Sequence, residues 1–477
     1  MPLPQPRPDD ETFSAAGTRM TKANPTSARG FLRAGSRRVA SEGKRARAAA
    51  APSEAHRELH GEPRTEHRLD VQGLRAVAVL LVLAFHGGLA VHGGFIGVDV
   101  FFVISGFVIT AMLEREWQAH GRIDFARFYL RRFGRLVPAL ALVVTVTLLA
   151  STLLLSPEGT LQVAAKTAIG ALLISANAVI AHVTGGYFDP PAHANPLLNT
   201  WSLSVEEQFY VVFPALLLAA SWWQARARAR ARADQGAWSF APLAMTALVA
   251  AGSFALAAAG SAQALPAADG LFGFYSPLTR AWEFAAGSAV ALLVARGAFA
   301  TRAVKPLLLA VAGALGLFAS VLLISRATPF PGPWTLLPVS ATALLIIAGS
   351  NSGGNAVSRC LSTRPLTTIG DWSYSLYLWH WPLIALAQEL WPGSARASFA
   401  ALLLSFPLAI ASYRWVEQPL RLTSRARHGE GRSRSPSWKR LAAATIAAPV
   451  ALALVLHIAA EAWFGNDVLR AERAALA

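Results

Sequence analysis

From residue 69 almost to its end the chain returns to apolar stretches close to the ~20 residues that carry a helix across bilayer hydrocarbon. In lipid each backbone polar group must find its partner within the structure, which leaves helices or a closed barrel. Stretches this long and this continuous choose the helix. The fold class therefore reads as all-α: a polytopic transmembrane helical bundle of about 10–11 spans plus one half-inserted or interfacial helix. With 54% hydrophobic and only 15% charged residues in 477, a soluble domain is excluded.

Positive charge sets the direction of each crossing. Residues 1–68, rich in Arg, Ala, Pro, Ser and Glu and without apolar periodicity, read as a disordered basic cytoplasmic tail. No apolar h-region follows their charges, so they are not a signal peptide. Val71–Val91 runs outward, Ile96–Leu113 returns to the Arg127, Arg131, Arg132 and Arg135 group, and Val137–Leu155 goes out. A full crossing by Leu161–Ala181 would strand Arg226, Arg228, Arg230 and Arg232 outside, against the positive-inside bias. That stretch, with Lys166 and Asn177, is the expected half-inserted helix. Beyond Phe209–Trp223, the stretches Ala241–Gly260, Arg280–Ala295, Leu307–Ser325, Trp334–Gly349, Trp372–Leu390 and Ser398–Trp415 then alternate.

The domain reading follows: 69–420 a membrane domain, 421–440 a basic cytoplasmic loop, and 441–477 an additional transmembrane helix (Leu441–Phe464) with a short outer tail. The formal net charge of +16 is read as orientation charge, and no nucleic acid is expected as a partner. The single cysteine, Cys360, excludes an intrachain disulfide and a CxxC metal site, and no metal is expected.

Chemistry concentrates in Leu69–Ser105. Arg75 and His86 are eleven residues apart, about three turns plus 20°, so both point the same way from one helix, roughly 16 Å apart along its axis. Intramembrane ionisable groups are costly, and the default reading is a functional site. A desolvated imidazole near a guanidinium stays neutral and can serve as a general base. On the inner side Arg131, Arg132 and Arg135 converge as a candidate phosphate clamp. Asp99 opens the second helix on the outer side. Ser204, Glu206 and Glu207 lie in TWSLSVEEQFY at the outer mouth of a span, and Arg280 and Glu283 open another. His380 lies about 12 Å in from the inner face. Such residues need mutual pairing or a wet cavity. They outline a two-sided enzyme, with a phosphate-bearing donor on the inner arginines and an acceptor entering between the outer carboxylates.

Seven segments in order carry a resemblance: the R-x10-H pattern of Arg75 and His86, FIGVDVFFVISGF, FYLRRFGRLVP, NTWSLSVEEQFY, RAWEFAAG, WSYSLYLWHWPL and YRWVEQPLR. The chain from Leu69 to about Leu420 resembles the acyltransferase-3 family of integral-membrane O-acyltransferases, the O-antigen acetylase type. The resemblance implies transfer of an acetyl or similar short acyl group from cytoplasmic acyl-CoA, acetyl-CoA above all, to a sugar hydroxyl outside the membrane. It places the essential Arg and His on Arg75 and His86, and the donor-linked R-x-x-R element on Arg132 and Arg135. The remaining partners are membrane lipids and an extracytoplasmic carbohydrate or glycolipid, with lipopolysaccharide, peptidoglycan and exported polysaccharide all open. Eleven spans and an outward C-terminus are typical of members fused to an SGNH-hydrolase-like domain. Here the sequence stops soon after the last span, so the expectation is a stand-alone membrane module, or one whose fused domain has been lost or is supplied by a separate SGNH-type protein as partner. Abundant Ala and Arg fit a bacterium with GC-rich DNA, and the expected location is its inner membrane. The rival class is a transporter or flippase, which would also need midplane ions but predicts inverted repeats. The motifs here occur once each.

Overall fold

The computed structural model describes residues 68–156, 159–184, 187, 190–231, 240–263, 272–299, 305–350, 354–419 and 437–464. The chain divides into Met1–His67 and Arg68–Ala477. The expected basic tail before Arg68, most of the expected loop 421–440 and the expected outer tail lie outside the described residues.

Short polar side chains open many of the helices. Asp124 accepts from the Arg127 amide at 3.0 Å, Ser276 from that of Leu278 at 3.1 Å, and Asn355 from that of Ser358 at 2.9 Å. Each satisfies an amide that the first turn leaves without a partner. The helices, in order, are α1 (Leu69–His86), α2 (Gly97–His120), α3 (Phe125–Leu154), α4 (Thr160–Leu172), α5 (Ala176–Thr184), α6 (Pro190–His193) and α7 (Thr200–Ala231). There follow α8 (Ala241–Ser261), α9 (Pro277–Ala295), α10 (Pro306–Leu323), α11 (Leu336–Gly349), α12 (Ala356–Leu361), α13 (Arg364–Leu390), α14 (Ala395–Ser412) and α15 (Ser437–Phe464). Among the described residues there is no strand.

The architecture is an all-α polytopic membrane bundle. Among the described residues eight helices are long and apolar enough to cross a bilayer, and Pro333–Gly349 and Ile446–Ala459 are shorter apolar helices. With 27 residues α13 also has the length, with more polar side chains. The stretch Leu161–Ala181 is two helices, α4 and α5, broken where Ile174 takes a φ of 60°. It forms no single straight span.

Burial separates the inner helices from the periphery. In the most apolar 18-residue stretch of the segment that includes α2, 78% of the residues are buried, against 17% in that of α8. Two close approaches set the inner packing. A Cβ on Gly287 of α9 would lie 1.9 Å from the Val103 carbonyl oxygen of α2, and one on Gly370 of α13 would lie 2.0 Å from that of Gln72 in α1. Only glycine permits backbones this near, the packing mode of small residues in membrane helices. The Gln72–Gly370 contact sets the level of α13 against α1. It makes the two helices parallel neighbours whose C-terminal halves meet at His86 and His380.

Three helices begin earlier than the apolar pattern indicates. α3 starts at Phe125, not Val137; α7 starts at Thr200, not Phe209; and α13 starts at Arg364, not Trp372. Their first turns carry Arg, Glu or Asp side chains that pair within the bundle, so a rule that keeps charge in loops cuts them short.

Candidate functional site

α1 presents two chemical groups at two levels. At its C-terminal end His86 Nδ1 lies 3.0 Å from His380 Nε2, and His86 Nε2 lies 2.9 Å from the Tyr187 hydroxyl. The His380 Nδ1 contacts the Leu376 carbonyl at 3.1 Å. That carbonyl can only accept, so His380 carries its proton on Nδ1 and offers Nε2 as an acceptor. His86 therefore donates from Nδ1, and its Nε2 lone pair accepts from Tyr187. These tautomers are assigned from the hydrogen-bond network. The two rings are 15° from coplanar with centres 5.2 Å apart. Combined with the short N···N distance, this is an edge-to-edge N–H···N bond, not a face-to-face stack.

The histidine pair has an aromatic lining. Trp381 lies 4.7 Å from His86, centre to centre, and its indole N–H donates to the Asn195 carbonyl at 2.8 Å. His193 approaches Trp381 at 5.7 Å. His193 and Arg326 also face His86 electrostatically. Burial pushes the Tyr187 phenol well above its ordinary value, so Tyr187 stays protonated and remains a donor. The sequence expectation put Arg75's field on His86. The cation acting there is Arg326, because eleven residues of helix hold Arg75 about 16 Å away.

Arg75 instead lines a cavity of about 510 Å³ together with Arg132, Arg135, Glu206, Glu207 and Tyr210. Arg132 forms an ion pair with Glu207 at 3.0 Å and covers the Tyr210 ring at 3.5 Å from its centre. Ser105 donates to Glu206 at 2.6 Å, and the Tyr210 hydroxyl donates to the same carboxylate oxygen. Arg75 donates to the Gln72 side-chain oxygen Oε1 at 3.4 Å, and the Gln72 amide donates to Asp371 at 2.7 Å, tying this end of α1 to α13. Ser204 also lines the cavity, and its hydroxyl accepts from the Ala176 amide at 3.1 Å, fixing the start of α5.

Several expectations are corrected by this geometry. Glu206 and Glu207, expected at the outer mouth, share the cavity with the expected inner arginines. Both charges sit inside helices that begin earlier than the pattern indicates, and they pair across the bundle. Arg131 is not among the residues lining the cavity; its guanidinium pairs with Glu116 at 3.8 Å. His380 lies sixteen residues into α13, roughly 24 Å along the axis from its start.

Asp99, Arg280 and Glu283 form a sealed trio. Arg280 contacts Asp99 at 3.0 Å and Glu283 at 3.1 Å, with every side chain at most 1% exposed. The guanidinium is surrounded by the rings of Phe102, Trp201, Phe274 and Phe330 at 5.3–5.7 Å, a desolvated cation–π setting. Sealed in this way, the trio lies off the cavity lining. It braces α2 against α9, and through Phe274, stacked on Tyr187 at 4.4 Å, it supports the donor to His86.

The cavity and the histidine pair meet at a wall. Ser202 and Tyr377 both line the cavity, their hydroxyls 2.7 Å apart, and the Tyr377 ring lies 5.4 Å from that of His380. His86 is not among the cavity-lining residues. Although Arg75 and His86 point the same way from α1, they do not open onto a single cavity: Arg75 lines it and His86 does not. The Ser202–Tyr377 pair lines the cavity on one side and reaches the histidine pair through the Tyr377 ring on the other. Tyr187, Tyr377 and Arg326 were not singled out from sequence. The signal for Tyr187 is faint, one of two adjacent aromatics in the stretch GGYFDPP. Tyr377 had a stronger one, three residues before His380 on the same helix face.

Comparison with known proteins follows the same outline. The family described as "Acyltransferase domain" matches residues 68–414. The chain is 31% identical over 360 residues to the peptidoglycan O-acetyltransferase OatA of Listeria monocytogenes, covering 74% of this chain and 55% of that protein. It is 32% identical over 398 residues to BcsY of Komagataeibacter xylinus, whose name gives it provisionally as a membrane-bound transacylase, covering 82% of this chain and 90% of that protein. It is 29% identical to the O-acetyltransferase OatA of Staphylococcus aureus over 74% of this chain and 57% of that protein. The chain thus spans about half the length of the OatA proteins it matches. No solved structure matches. The chain belongs to this acyltransferase family.

Proposed function

We propose that this member of the acyltransferase family transfers an acetyl or similar short acyl group from acyl-CoA, presented from the cytoplasm, to a hydroxyl of an extracytoplasmic glycan or glycolipid. The observation that carries the reading is the directed chain Tyr187–His86–His380–Leu376, which leaves the lone pair of His86 Nε2 on the side of the ring where a hydroxyl already lies. An acceptor hydroxyl taking the place of Tyr187 would give its proton to Nε2 while its oxygen attacks the thioester carbonyl. Collapse of the tetrahedral adduct breaks the C–S bond. The thiolate takes the proton back from His86, leaving an ester and free CoA thiol. His380 would hold the ring in the productive tautomer and accept from the imidazolium as it forms.

On the other side of Ser202 and Tyr377, Arg75, Arg132 and Arg135 would hold the donor's phosphates. The thioester arm would pass between those two residues to reach His86. Glycan acceptors are favoured because two OatA relatives carry O-acetyltransferase in their names, one of them for peptidoglycan. On this reading residues 69–420 form the catalytic membrane domain in a bacterial inner membrane, with the N-terminus cytoplasmic. The test is purified full-length protein in vesicles with acetyl-CoA and a peptidoglycan fragment. Thiol release in step with ester formation, and dependent on the glycan, is expected. Glycan movement without free thiol would replace the enzyme reading with transport.

A further inference from the structure

Arg326 belongs to the loop that follows α10, and its backbone is fixed from several sides. The Gly93 amide, in the loop after α1, donates to the Val321 carbonyl at 3.2 Å. The Thr328 amide donates to the Ser325 carbonyl at 3.0 Å, and the Thr328 hydroxyl accepts from the Ser325 amide at 3.0 Å. These bonds close a turn with Arg326 inside it. Phe330, further along the same loop, meets the Phe95 ring edge-on at 5.1 Å between centres. Held there, the Arg326 guanidinium lies over the Phe85 ring, 4.9 Å from its centre, and Phe85 lies 5.2 Å from His86, centre to centre. Arg326 is exposed, and with the described residues its side chain forms no ion pair or hydrogen bond.

His86 is only half-buried, yet it is not among the residues that line the cavity. Its open surface therefore lies outside the cavity that Arg75, Arg132 and Arg135 share, and the exposed Gly88, Leu89 and Ala90 follow it at the end of α1. A molecule that comes to His86 from this end meets Arg326. The Phe85 ring occupies a face of the guanidinium, and the N–H edge of such a stacked group is left for an anion. The chemistry asks for one. As His86 takes the acceptor's proton it gains positive charge, and a second positive charge this near repels it. An anion carried by the acceptor would neutralise Arg326 as that charge forms. Carboxylate and phosphate both match the guanidinium fork. We propose that Arg326 is a specificity-determining residue that binds an anionic acceptor: a glycan or glycolipid with a carboxylate or phosphate near the hydroxyl to be acylated. The inference rests on the acyl-transfer reading, in which the ends of α1 and α10 face the acceptor.

The test places the full chain in phosphatidylcholine nanodiscs, which leave both faces open, with three acceptor probes of equal length. One is an uncharged N-acetylglucosamine oligomer, one carries N-acetylmuramic acid carboxylates, and one carries a phosphate at its reducing end. Calorimetry gives the affinity for each probe whether or not transfer occurs, and thiol release from acetyl-CoA gives kcat and KM. Wild type should bind at least one anionic probe more tightly than the uncharged one, and which of the two it prefers tells a sugar carboxylate from a lipid-linked phosphate. Arg326→Gln should weaken that binding about tenfold, the low end for one charged hydrogen bond, and leave the uncharged probe within twofold. Arg326→Lys should keep part of the preference, and added salt should shrink it in wild type. No anionic preference in wild type, a glutamine variant that keeps it, or equal losses for all three probes would overturn the role of Arg326. So would an effect of the variant that follows the charge of added lipids instead of the acceptor's. Wild-type protein that binds the anionic probe through Arg326 yet transfers no acyl group to it would overturn the acyl-transfer reading alone.

Discussion

Replacing His380 with alanine removes the acceptor that holds His86 Nδ1–H at 3.0 Å. The backbone of α13 stays in place, because the Gly370–Gln72 approach that sets its level lies ten residues away. His86 can then turn or take the other tautomer, and the imidazolium formed on proton transfer has no partner. A hydrogen bond to a charged group contributes about 1.5–3 kcal/mol, so kcat should fall roughly 10- to 150-fold at 1.4 kcal/mol per decade. That is a smaller loss than the ~10²–10⁴ expected when the base itself is removed. His380→Gln places an amide oxygen near the lost nitrogen and should recover part of the rate. The assay is acetyl transfer to a peptidoglycan fragment in vesicles, read as kcat and KM at equal protein content. A positioning role predicts a fall in kcat with KM for acetyl-CoA nearly constant. A kcat within twofold of wild type for His380→Ala would refute the reasoning, as would a glutamine variant no better than alanine.

Arg135→Ala should raise the KM for acetyl-CoA about tenfold, consistent with loss of one charged contact, and an unaltered KM would leave Arg135 as an anchor only. Arg132→Ala strips the partner from a part-buried Glu207. Leaving one charge of the pair without its partner is destabilising, so Tm should fall and Arg132→Ala with Glu207→Gln should regain much of it; no recovery in the double variant contradicts the pairing. Arg280→Met should lower Tm by more than any other single change discussed, since it leaves Asp99 and Glu283 sealed without a cation; a Tm within a degree or two of wild type would refute the bracing role.

Several spans are legible in the sequence nearly to the residue. Ala241–Gly260 is realised as α8 and Leu307–Ser325 as α10, because in both the apolar pattern and the helix end together. The charge bias marks Leu161–Ala181 as something other than a full crossing, but its division into α4 and α5 at Ile174 is not legible in the sequence. Helices whose first turns carry charge extend beyond their apolar stretches, so Glu206, Glu207 and Arg132 lie within α7 and α3 and not ahead of them. Arg280 and Glu283 share a helix face by their spacing of three, but that the third member is Asp99, across α2, depends on a Gly287 contact between backbones. The His86–His380 bond joins residues 294 apart in sequence, and no local periodicity encodes it. Tyr187 comes from a loop, where neither period nor charge marks a donor.

The most direct measurement is single-turnover release of CoA thiol from acetyl-CoA, with and without a peptidoglycan fragment, by wild-type protein and by His86→Ala at matched amounts in the membrane. With His86 as the base, wild type releases thiol only when the glycan is present and forms ester in equal amount, and the variant is slower by two to four orders of magnitude. Equal rates in the two proteins would contradict that account.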